Sequence, residues 1–106
     1  MKYEHIHQLN AEKFHSLTGV DYESFTKMVT KLVDADNQKK AQGGRKNKLR
    51  IEDQLLMTFE YLREYRTYLS MSKTYGISES AAYKAIKWVK SVFDKEPNLK
   101  LPERKI

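Results

Sequence analysis

The fold is decided by residues 67–93, Thr67-Tyr-Leu-Ser-Met-Ser-Lys-Thr-Tyr75-Gly76-Ile77-Ser78-Glu-Ser-Ala-Ala-Tyr-Lys-Ala-Ile-Lys-Trp-Val-Lys-Ser-Val-Phe93. The spacing predicts a short helix, a tight turn at Gly76 and a longer helix opening at Ser78. Thr67 can cap the first helix, because its hydroxyl can accept from an orphan backbone N–H of the first turn. Tyr68, Met71, Ser72 and Tyr75 then fall on one side of that helix. Gly76 can take the positive φ that ends a helix without a steric penalty. Ile77 is an apolar peg in the turn, and Ser78 is the next N-cap, with Glu79 near the positive helix end. Two helices joined by a short glycine-containing turn read as a helix-turn-helix.

The second helix sorts its side chains. At about 100° per residue, Ala82, Ile86, Val89 and Phe93 form an apolar stripe. Ser80, Lys84, Lys87 and Ser91 lie opposite, with Tyr83 and Lys90 on one flank. In a helix-turn-helix the N-terminal part of this helix enters the major groove. The candidate DNA contacts are therefore Ser78, Ser80, Ala81, Tyr83, Lys84 and Lys87, the small residues allowing close approach. An ordinary solvated helix face is the competing reading. Basic and aromatic residues beside a capped glycine turn favour DNA.

Working outward, residues 50–65 predict a third helix, with Glu52 and Asp53 in its first turn and Arg63 and Arg66 near its end, all favourable to the helix dipole. Leu55, Phe59 and Leu62 form its inner stripe, widened by Leu56 and Tyr65. It should support the helix pair from beneath, giving a trihelical unit. Before it lies Lys39-Lys-Ala-Gln-Gly-Gly-Arg-Lys-Asn-Lys-Leu-Arg50, six basic residues of twelve and none acidic. Such a stretch repels itself and cannot pack a core, so it reads as a mobile linker in the free protein. Beside a helix-turn-helix it also reads as an arm along phosphates or in a minor groove, through Arg45, Lys46 and Lys48.

Further out, Asp21 or its neighbour opens a helix to about Lys40, with Phe25, Met28, Val29, Leu32 and Val33 inward. Asn10 caps a shorter helix, residues 11–17, with Phe14 and Leu17 inward and Thr18-Gly19 breaking it. Residues 1–9 read as a loosely held arm. His5-Ile6-His7 has the alternation of a metal-binding strand in tyrosine nucleases, but no strand signal surrounds it. Asp34, Asp36, Asp53 and Asp94 read as caps or surface charge, and His15 as an isolated surface residue. No metal ligands or cofactor are assigned. After Asp94, Pro97 and Pro102 forbid a regular helix.

The expectation is an all-α chain: a helical segment over 1–42, a basic linker or arm over 43–50, a helix-turn-helix unit over 51–94, and a tail over 95–106. A length of 106 residues suits one small domain. A net charge of +6 favours a polyanionic partner. With no cysteine there are no disulfides or thiolate zinc sites, consistent with the cytoplasm. No apolar run is long enough to span a membrane, and no signal peptide is legible.

Several stretches in order resemble the N-terminal region of bacterial insertion-sequence transposases of the DDE endonuclease superfamily. They are Leu17-Thr-Gly-Val20, Gly44-Arg-Lys-Asn-Lys-Leu49, Glu52-Asp-Gln-Leu-Leu-Met-Thr58, Tyr61-Leu-Arg63, Arg66-Thr-Tyr68, Tyr75-Gly-Ile-Ser-Glu-Ser80 and Ile86-Lys-Trp-Val89. The closing Leu101-Pro102 resembles the link to a catalytic domain. The resemblance implies recognition of terminal inverted repeats in double-stranded DNA. It also implies a separate RNase H-like domain with three acidic residues and divalent metal, which this sequence does not contain, so the chain is expected not to cut DNA alone. A separately encoded catalytic subunit or a fused frame would then be a partner, and a homodimer is a second option. Ala82 and Ala85 are smaller than the family pattern leads one to expect. A free-standing transcriptional repressor would use the same surface. A helical protein-binding domain would instead present Tyr61, Tyr83 and Trp88.

Overall fold

A computed structural model describes residues 3–6, 8–41, 43 and 49–102 of the chain. They form six helices: α1 (Tyr3–Ile6), α2 (Ala11–Thr18), α3 (Tyr22–Ala41), α4 (Ile51–Glu64), α5 (Tyr68–Tyr75) and α6 (Glu79–Phe93). Among the described residues there is no strand, so the all-α expectation holds.

The helix ends follow local chemistry. The side chains of Asn10, Thr67 and Ser78 accept from the backbone N–H of Lys13, Ser70 and Ala81 respectively, each satisfying an orphan donor of a first turn. Asp21 does the same at α3, accepting from Ser24 N at 2.7 Å, and that bond holds its carboxyl below its ordinary value. Gly19 and Gly76 end α2 and α5 in the left-handed region at φ 82° and 70°. At α4 the N-cap is Arg50, whose side chain makes no cap bond. There Gln54 Nε2 reaches back to the Leu49 carbonyl at 3.0 Å.

α4 is the centre of the molecule. Every residue from Asp53 to Glu60 is buried, as expected of a helix covered on all sides. One side packs into a cluster with Ile6, Phe14, Phe25, Met28 and Leu32, joined by Val89 and Phe93 from α6. Its other side contributes Met57 to a smaller cluster with Met71, Tyr75, Ala82 and Ile86. The stripe expected from Leu55 and Phe59 is therefore too narrow, because helices lie on both sides. Tyr65 does not widen it. It sits past the helix end at φ 53° and is 65% exposed.

Two other inward assignments change. In α2 the buried pair is Phe14 and Thr18, while Leu17 is half exposed. The Thr18 hydroxyl donates to the Phe14 carbonyl at 2.9 Å, so a buried polar group keeps a partner. In α3, Val33 faces outward and Asp36 is buried instead, 3.1 Å from Lys40 Nζ. Lys39 and Lys40 belong to the last turn of α3 rather than to a linker.

The N-terminal residues are not a loose arm where they are described. Tyr3–Ile6 is helical and Ile6 is buried. Tyr3 N donates to Asp53 Oδ1 at 2.7 Å, its ring stacks on Phe25 at 5.8 Å, and the Arg50 guanidinium lies 5.3 Å from the ring centre. These partners come from distant sequence, which local periodicity cannot report. Residues 95–102 contain no helix, yet Leu99 and Leu101 pack against the larger cluster.

Candidate nucleic-acid interface

α5 and α6 pack on each other and on α4, so the three helices form the expected trihelical unit. Within α6 the stripe Ala82, Ile86, Val89 and Phe93 is buried as the spacing predicts. The opposite face carries Ser80, Lys84, Lys87 and Ser91, all exposed. Ala81 is half-buried, and Ser78 is exposed with its hydroxyl engaged as the cap. Among the described residues, Lys84, Lys87 and Lys90 have no carboxylate in ion-pair range. Arg45, Lys46 and Lys48 lie outside the described residues.

Tyr83 is 43% exposed and anchors one edge of this face. Lys87 Nζ lies 5.7 Å from its ring centre. The Tyr68 ring meets Tyr83 edge-on at 5.3 Å, and Tyr68 stacks on Tyr61 at 4.9 Å. Tyr68 Oη also donates to Tyr61 Oη at 3.1 Å. That bond, with burial second, pushes the Tyr68 phenol up to about 12. The ladder Tyr61, Tyr68, Tyr83 and Lys87 thus joins α4, α5 and the polar side of α6. Trp88 faces another way, packed on the larger cluster beneath Lys39 at 5.5 Å.

Arg66 is the residue that sequence spacing missed. Its Nη1 donates to Glu60 Oε2 at 2.8 Å, its Nη2 to Ser70 Oγ at 2.8 Å, and the same nitrogen reaches Thr74. One guanidinium thereby ties α4 to two turns of α5, using its planar fork of donors. Glu60 and Arg66 are six apart across a helix end, a spacing with no helical signature. Tyr61 and Tyr68 are likewise seven apart across that break.

Among the described residues no cluster of three or more His, Asp or Glu side chains could hold a metal ion. No described helix is long and apolar enough to cross a membrane.

A capped helix, a left-handed glycine turn and a second capped helix with a basic outer face define a helix-turn-helix unit supported by α4. Residues 47–98 match the family described as "Helix-turn-helix of DDE superfamily endonuclease", and this chain belongs to that family through that region. The chain is also similar to the "Probable transposase for insertion sequence element IS702" of Microchaete diplosiphon, with 41% identity over 105 residues. That alignment covers 99% of this chain and 38% of the relative, so the chain spans well under half of the relative's length. No solved structure matches the chain significantly.

Proposed function

We propose that this chain is the DNA-binding module of an insertion-sequence transposase, and that it recognises the terminal inverted repeats of its element. The observation that carries the reading is the outer face of α6. Lys84 and Lys87 stand exposed, with no carboxylate partner among the described residues, opposite a buried stripe, inside a segment of a transposase helix-turn-helix family. In this reading Lys84 and Lys87 meet phosphates or guanine edges, and Ser80 and Tyr83 meet bases or backbone. Ser78 and Ala81 line the close approach at the helix start. Arg45, Lys46 and Lys48 add salt-dependent affinity from the arm.

Lysine lacks the bidentate fork of arginine and discriminates bases less sharply. End recognition then draws on several contacts at once, through the arm, a second copy or a catalytic partner. Strand cutting and joining belong in this reading to a catalytic domain outside these residues, in a separate subunit or a fused frame.

The test is selection of bound sequences from a random duplex library at moderate salt. Enrichment of a motif matching the ends of a mobile element in the source genome is the expected result. Enrichment of a promoter site, or none at all, would refute end recognition.

A further inference from the structure

A groove of about 460 Å³ opens beside the start of α6, walled by Tyr61, Tyr65, Tyr68, Arg66 and Glu79. Its size falls in the range of small-molecule clefts, roughly 300–1,000 Å³. We infer that this groove takes one unpaired nucleobase of the bound DNA, stacked against the tyrosine wall with its exocyclic amine donating to the Glu79 carboxylate. The inference rests on the DNA-binding reading above and adds a site to it.

Three observations select this occupant. First, the groove adjoins the proposed DNA face: Tyr68 lines it and also touches Tyr83 at 5.3 Å, while Glu79 sits between Ser78 and Ser80. Second, the wall is aromatic, and Tyr65 presents a ring that is 65% exposed. Every base has a π-face, so such a wall accepts bases with little sequence preference. Third, the charges in the groove disfavour a phosphate. The Arg66 donors are already engaged by Glu60, Ser70 and Thr74. Glu79 is exposed and has no ion-pair partner among the described residues. A carboxylate beside tyrosine rings suits a neutral ring carrying N–H donors, as the amines of cytosine and adenine do.

A base inside the duplex would first have to be unstacked and unpaired, whereas one already unpaired enters at least cost. The groove should therefore show itself with imperfect duplexes. The full chain is titrated with three short duplexes of one sequence: fully paired, with one unpaired cytosine, and with an abasic residue in place of that cytosine. The cytosine bulge should bind about tenfold more tightly than the other two, the scale of one base–aromatic stack. Tyr65→Gly, which suits the left-handed backbone while removing the ring, should abolish that preference, and Glu79→Ala, which removes the acceptor but leaves the stack, should weaken it. Both variants should keep the affinity for paired DNA.

Equal binding of the cytosine and abasic bulges would overturn the inference, because flexibility and not the base would then be recognised. Retention of the preference in both variants would overturn it too. Failure of every duplex to bind would remove the DNA reading as well, so the two failures are distinguishable.

Discussion

The guanidinium of Arg66 lies 2.8 Å from the carboxylate of Glu60, whose side chain is only 5% exposed. The same guanidinium holds Ser70 and Thr74, so the joint between α4 and α5 is a polar lock set beside the apolar cluster of Met57, Met71 and Tyr75. Removing one partner of a buried pair leaves an uncompensated charge and costs about 3–5 kcal/mol. Arg66 remains about a quarter in water (27%), which screens part of that loss. Arg66→Ala should therefore destabilise the fold by about 2–4 kcal/mol. Urea unfolding followed by circular dichroism measures this, and a change under about 0.5 kcal/mol, the level of an ordinary surface substitution, would show that the lock contributes nothing.

The two left-handed glycines should respond differently to substitution. At Gly76 a Cβ would meet nothing within 4 Å, so Gly76→Ala bears only the left-handed backbone cost, about 1–2 kcal/mol. Gly76→Asn should recover part of it, since asparagine tolerates that region. At Gly19 a Cβ would approach the Arg63 guanidinium to 3.0 Å. That guanidinium donates to the Leu17 carbonyl, and moving it loses the bond. Gly19→Ala should lower the thermal midpoint more than Gly76→Ala, and Gly19→Asn should give less relief. Equal midpoints for the two alanine variants would contradict this.

Alkaline pH should loosen the α4–α5 contact. The Tyr68 phenol is raised from 10.0 to about 12 by its bond to Tyr61 and by burial. A raised folded value means that the protonated form is favoured by folding. Its stabilisation is complete below pH 10 and is lost as pH rises through about 12. Burial raises the Tyr75 phenol in the same direction. The urea midpoint of the wild type should fall across this window, and Tyr68→Phe should fall less steeply. Parallel curves for the two proteins would remove Tyr68 from the effect.

Lys84→Ala combined with Lys87→Ala should weaken DNA binding and leave the fold intact, because both side chains are exposed. If each lysine neutralises one phosphate, the slope of log K against log salt should become shallower by roughly 2, at about 0.9 per contact. An unchanged slope in a well-folded double variant would take this face of α6 out of the interface.

Much of the unit that carries the proposed interface was legible from short-range chemistry. Thr67, Gly76 and Ser78 act within four residues of themselves, so capping rules place the ends of α5 and α6 without knowledge of neighbours. The stripe Ala82, Ile86, Val89 and Phe93 was likewise readable, because one face of α6 is covered and the other is open. Residue order alone also carried the resemblance to transposase helix-turn-helix regions, which the family match bears out.

What the sequence could not determine lies where distant segments meet. Asp53 to Glu60 are buried all round because α1, α2 and α3 cover one side of α4, α5 covers the other, and α6 contributes to both clusters. A helical period can report one covered face, not two. Tyr3 is held by Asp53, Phe25 and Arg50, and Arg66 by Glu60 across a helix end. None of these pairs has a characteristic spacing, since each exists only after the helices have packed. Periodicity and capping are set by neighbours along the chain, whereas ion pairs, ring contacts and grooves are set by neighbours in space.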